Sequence, residues 1–120
     1  MLIRLTLLFL GICTWGQAQR ESTYFDIREA LKHKDEVVRL DLSYKKLNSF
    51  PKEILQLKNL KRLNLSHNNI TAIPPQISGL ADLRRINLSH NKIESLPIQL
   101  FELKKLKKLY LDQNKLKSIP

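Results

Sequence analysis

From residue 37 onward the apolar side chains follow a rule that neither a helix nor a strand alone would write. An apolar residue opens the unit, others follow at its fourth, sixth, eleventh, fourteenth, eighteenth and twenty-first positions, and the set then restarts 23 residues later. The opening residues are Val37, Leu60, Leu83 and Leu106, with no insertion or deletion between them. The fourth positions are Leu40, Leu63, Ile86 and Leu109, and the sixth are Leu42, Leu65, Leu88 and Leu111. Leu47, Ile70, Ile93 and Leu116 follow, then Phe50, Ile73, Leu96 and Ile119, then Ile54, Ile77 and Leu100, and lastly Leu57, Leu80 and Leu103. A fixed period of this size predicts a repeat solenoid, in which one unit cannot bury its apolar face alone and stacked units build a continuous core.

The spacing within a unit predicts its local structure. Apolar residues two apart, at the fourth and sixth positions, lie on one face of a short strand, and positions three, five and seven face the other way. The ninth position is Asn68, Asn91 and Asn114, with Lys45 as the exception in the first unit. Asparagine there can hydrogen-bond backbone groups where the chain leaves the strand, and stacked copies predict a ladder. Pro51, Pro74, Pro97 and Pro120 occupy the fifteenth position. The first three precede segments such as KEILQL, where a fixed φ suits the first turn of a short helix or an extended crossing on the outer face.

The resulting consensus, LxxLxLxxNxLxxLPxxIxxL, resembles the leucine-rich repeat family in its 23-residue class, over residues 37–120. Its style is similar to short secreted bacterial repeat proteins with a helical cap, and the LPxxIxxL feature is shared with intracellular scaffold proteins of the Ras-suppressor type. The resemblance implies an α/β repeat solenoid with a short parallel β-sheet on the concave face and short helical or irregular segments on the convex face. The repeats are expected at residues 37–59, 60–82 and 83–105, with a partial fourth at 106–120. Lys45 and the absence of a C-terminal cap depart from the family pattern at the two ends.

Two segments precede the repeats. Residues 1–18 begin with a short positive region at Arg4, continue through a compact apolar run over residues 5–12 and end on Gly16, Gln17 and Ala18. That layout predicts a secretory signal peptide cut after Ala18, its apolar core being too short for a membrane span. Ile12 is not the small residue that lipidation of Cys13 would need. Residues 19–36 are expected to form a helical cap: Asp26 is a plausible N-cap, Glu29 completes a capping box, and Ile27, Ala30 and Leu31 share a face that would cover the first repeat. At the other end the fourth unit stops after its proline. This predicts an open edge, a fragment of a longer product, or self-association through that edge, which a run of lysines including Lys104, Lys105, Lys107 and Lys108 would discourage.

Charge then decides what the concave face is good for. The chain carries 21 Lys and Arg against 11 Asp and Glu, a net +10, and removing the leader takes away only Arg4. The single cysteine, Cys13, goes with the leader, so secretion rests on the leader and on no disulfide framework. The third position of each unit is Arg39, Arg62, Arg85 and Lys108, and the second is Val38, Lys61, Arg84 and Lys107. With strands about 4.8 Å apart, neighbouring unit charges repel by about 1 kcal/mol even in water. The double basic stripe therefore reads either as a solvated face that keeps the protein soluble or as a docking surface for an anionic glycan, a lipid head group or an acidic protein segment. Asp41, Asn64, Asn87 and Tyr110 at the fifth position border it.

Other chemistry is thin. The eighth position is Tyr44, His67, His90 and Gln113; two imidazoles without a third ligand do not make a metal site, and no metal is expected. Asn64, Asn69 and Asn87 each begin an N-x-S/T triplet, which matters only in a host that glycosylates. The serines recur as a repeat position without a base and an orienting acid, and glycine is too scarce for a phosphate loop, so neither an enzyme nor a cofactor is expected. Nucleic acid is an unlikely partner because no basic motif with interleaved aromatics is present. The expectation is a secreted or extracytoplasmic binding module, at the cell surface or in a periplasm, that takes a protein or anionic partner through its concave face. The alternative is a structural remnant of a larger repeat protein with no ligand of its own.

Overall fold

A computed structural model describes residues 22–120; the leader expected over residues 1–18 and the start of the cap lie outside the described residues. Strand β1 (Thr23–Tyr24) and helix α1 (Ile27–Lys32) open the chain, followed by strands β2 (Arg39–Asp41), β3 (Arg62–Asn64), β4 (Arg85–Asn87) and β5 (Lys108–Tyr110). The five strands form one parallel sheet in chain order. Between successive strands from β2 onward lies a short 3-10 helix: Lys52–Gln56, Pro75–Gly79 and Ile98–Glu102.

The register follows the repeat without slippage. Leu40 pairs with Leu63, Leu63 with Ile86, and Ile86 with Leu109. A parallel register this regular needs each crossing to be the same length, which the constant period supplies. The carbonyl of Lys61 accepts from both Arg84 N–H (2.8 Å) and Arg85 N–H (3.1 Å), and the carbonyls of Val38 and Arg84 do the same one row before and one row after.

The core is a stack of identical layers. Val37, Leu60 and Leu83 are fully buried, as are Ile54, Leu57, Leu65, Leu80 and Leu100. In the last row Leu106, Leu109, Leu111 and Leu116 pack against this core but stay partly exposed, because among the described residues no further row lies over them.

The cap differs from the expected simple helix. Its first element is β1, which extends the sheet by pairing Thr23 with Arg39 and Tyr24 with Leu40. The physical reason is edge protection: without β1, the outer side of β2 would present unpaired backbone groups. Helix α1 is only six residues long, with Ala30 fully buried and Ile27 and Leu31 packed on the core. Asp26 caps it by accepting from Arg28 N–H at 2.7 Å. The capping box is half made, since Glu29 accepts instead from Lys32 Nζ at 2.9 Å.

The prolines also sit one residue earlier than a helix-starting role requires. Pro51, Pro74 and Pro97 are extended, with ψ of 113°, 146° and 143°, and each 3-10 helix begins on the next residue. The ring thus fixes φ at the corner where the chain enters the convex side.

Candidate functional site

The asparagines at the ninth position hold each row to the one before it. Asn91 Nδ2 donates to Leu65 O (2.8 Å) of the preceding row and to Leu88 O (3.0 Å) and Ser89 O (3.2 Å) of its own. Its Oδ1 accepts from Ile70 N–H at 3.0 Å. Asn68 does the same toward the first row, donating to Leu42 O at 2.9 Å and accepting from Lys45 N–H and Leu47 N–H, both at 3.0 Å. Asn114 repeats the arrangement with Leu88 O (2.8 Å) and Ile93 N–H (3.1 Å). This explains Lys45. The ninth residue serves the preceding row, and before the first repeat that row is β1 running into α1, where the carbonyl of Asp26 already accepts from Ala30 N–H at 3.0 Å.

A second side-chain ladder lies on the strands themselves. Asn64 Oδ1 accepts from Ser66 N–H (3.0 Å) and Ser66 Oγ–H (2.7 Å), and Asn87 with Ser89 and Asp41 with Ser43 repeat this pairing. The serine N–H can only donate, so the amide oxygen must face it, and the Nδ2–H groups of Asn64 and Asn87 are left without partners among the described residues. Ser66 and Ser89 are buried. The N-x-S spacing read in the sequence as a glycosylation pattern is thus also a structural pairing where the chain leaves β3 and β4.

The strands carry the third-position cations outward in one line. Arg39 faces Arg62, Arg62 faces Arg85, and Arg85 faces Lys108 as direct register partners. The second-position residues join them at the strand starts. Arg62, Arg84, Arg85, Lys107 and Lys108 line one hollow of about 200 Å³. No carboxylate lies within 4.0 Å of any of these five among the described residues. A larger groove of about 340 Å³ runs beside it, lined by Arg39, Arg62 and Arg85 and floored by Asp41, Asn64, Asn87 and Tyr110. Thr23 of the unexpected strand β1 forms part of its wall.

Lys61, the remaining second-position cation, is half-buried, and its charge adds with that of Arg84 to the pull on Asp82. Asp82 receives its main stabilisation from Lys105, whose Nζ donates to Oδ1 at 2.9 Å; this hydrogen bond, with the charge behind it, holds the carboxyl below its ordinary range. Lys105, counted in the sequence among the lysines guarding an open edge, is therefore tied to the neighbouring repeat.

At the eighth position the backbone takes an unusual turn. Tyr44, His67, His90 and Gln113 all have φ between 55° and 57°, and Lys46 shares that region. This left-handed conformation costs a side-chain-bearing residue about 1 kcal/mol or more, and histidine visits it more often than most. Backbone bonds hold it: Tyr44 N–H donates to Ser66 O (3.2 Å), His67 N–H to Ser89 O (3.0 Å) and His90 N–H to Asp112 O (2.9 Å). The rings consequently stack, Tyr44 on His67 with centroids 4.2 Å apart and His67 on His90 at 4.1 Å. Face-to-face imidazoles point their nitrogen lone pairs side by side, which does not converge on one ion. Among the described residues no three His, Cys, Asp or Glu are grouped to hold a metal, and no helix is long and apolar enough to cross a membrane.

A leucine rich repeat family model matches residues 35–93 and 81–120. Among solved structures, the chain is similar to internalin C2 of Listeria monocytogenes, with a TM-score of 0.66 and 26% identity over 78% of this chain and 40% of that one. It also superposes on an internalin F of the same organism, with a TM-score of 0.64 and 22% identity over 78% of this chain and 27% of the other. The chain therefore spans less than half the length of either. No curated protein matches it. Leucine-rich repeat domains serve generally as protein–protein interaction modules and are typically binding scaffolds rather than catalysts. With the consensus of buried positions, the parallel sheet in chain order and a family model spanning all its repeats, the chain belongs to the leucine-rich repeat family.

Proposed function

We propose that this protein is a secreted binding module whose concave face takes an acidic segment of a partner protein along the line Arg39, Arg62, Arg85 and Lys108. One observation carries the reading: four cations in direct register on adjacent strands, with no carboxylate within 4.0 Å of them among the described residues. Like charges held at strand spacing repel, and an anion lying across them removes that repulsion. The groove floor suits the same ligand. Asn64 and Asn87 have their oxygens engaged by Ser66 and Ser89, which leaves N–H donors to meet carboxylates. Secretion is supported by the leader pattern of residues 1–18.

The test is binding of a labelled glutamate-rich peptide, followed by fluorescence anisotropy at about 50 mM and about 200 mM salt. Affinity is expected to fall at the higher salt, and the double substitution Arg62→Glu with Arg85→Glu is expected to abolish binding while leaving the far-UV dichroism unchanged. Equal binding by the folded double variant would return the stripe to a solvated face.

A further inference from the structure

The stacked rings at the eighth position form a second stripe beside the cations, and among the described residues no further ring continues it beyond Tyr44. Tyr44 has one face against His67, 71% of the residue is exposed, and no second ring stacks on it among the described residues. The next place in the column belongs to the row of β1, where the chain turns from Tyr24 through Phe25 and Asp26 directly into α1, and no ring of that row stacks on Tyr44 among the described residues. We infer that this place is a stacking site for an aromatic side chain of the partner, so that the segment recognised on the concave face combines acidic residues with an aromatic one. The acidic half of that statement rests on the function proposed above; the stacking site does not.

Three features favour a ring as the occupant. The column repeats at 4.2 and 4.1 Å with planes tilted by only 9° and 11°, so one more planar group continues it at the same spacing, within the range where aromatic pairs attract. The platform is already ordered, because the left-handed turns beneath the rings are held by backbone hydrogen bonds, and little freedom remains to be lost on binding. A guanidinium, the other common partner of an aromatic face, would approach a ring followed directly in the chain by the exposed cations Lys45 and Lys46. Their charge disfavours it and leaves a neutral or anionic ring unopposed.

The stacking site is tested by NMR titration of the full chain with the uncharged peptide acetyl-Gly-Trp-Gly-amide. Ring-current shifts are expected at the Tyr44 and His67 ring protons. They are expected to disappear in Tyr44→Asn, which tolerates the left-handed turn, and in Tyr44→Gly, where the turn is unstrained; Tyr44→Phe keeps them. No shifts in the wild-type chain, equal shifts in the ring-less variants, or equal shifts from acetyl-Gly-Arg-Gly-amide would each overturn the inference. A glutamate-rich peptide carrying one tryptophan is then expected to bind roughly 2- to 10-fold more tightly than its alanine counterpart, an advantage lost in Tyr44→Asn. Failure of both acidic peptides would remove the anionic reading and leave the ring site standing on the uncharged probe.

Discussion

At the scale of single residues, the most demanding side chains are the buried asparagines. Asn91 shares its two amide hydrogens among three carbonyls and accepts from one N–H across two rows, and replacing it by alanine strands several of these groups in a place water does not reach. Each buried unsatisfied group costs about 1–3 kcal/mol, so Asn91→Ala is expected to lower the unfolding free energy by about 3 kcal/mol, measured by urea denaturation. Lys45→Asn in the first row is expected to change it by less than about 0.5 kcal/mol, as surface substitutions usually do, because no preceding repeat offers the ladder's carbonyl. A large gain from Lys45→Asn would contradict the account of why the ladder starts at Asn68. Both facts were half legible in the sequence: the asparagine column was visible, but its direction, each residue serving the row before it, was not.

Among the elements, the cap shows where local signals stop. The N-cap Asp26 and the apolar face Ile27, Ala30 and Leu31 were readable from the chain and account for α1. Strand β1 was not, because two residues, Thr23 and Tyr24, carry no periodicity; they are extended only because the free edge of β2 offers hydrogen-bond partners. Ala30 is the fully buried residue of α1, within the core cluster of the repeats, where interiors are close-packed. Overpacking of a filled core typically costs about 1–3 kcal/mol, so Ala30→Leu is expected to destabilise the chain by that amount. Hydrogen exchange should show the loss concentrated in β1, α1 and β2, with Asn87 and its neighbours in β4 protected as before; uniform loss of protection would mean that the cap and the repeats open as one unit.

For the molecule as a whole, charge acts on stability and on binding with opposite signs. A chain of net +10 with Arg39, Arg62, Arg85 and Lys108 in one register carries self-repulsion that salt screens within about 8–10 Å. The melting temperature is expected to rise between about 20 and 200 mM salt, by scanning calorimetry, over the range in which affinity for an acidic peptide falls. A melting temperature that drops with added salt would show that the cations are paired in solution. By itself the sequence determined the period, the buried positions, the parallel stacking and the row of cations, because each depends on spacing that repeats and is read without knowing what touches what. Only the tertiary structure decided that β1 completes the sheet, that Ser66 and Ser89 are held by Asn64 and Asn87, and that Tyr44, His67 and His90 stand in one column. The sheet edge and the ring column depend on contacts between residues far apart in the chain and on left-handed turns that the backbone ladder imposes, and the Asn–Ser pairs, though only two residues apart, depend on a side-chain direction that residue types alone do not encode.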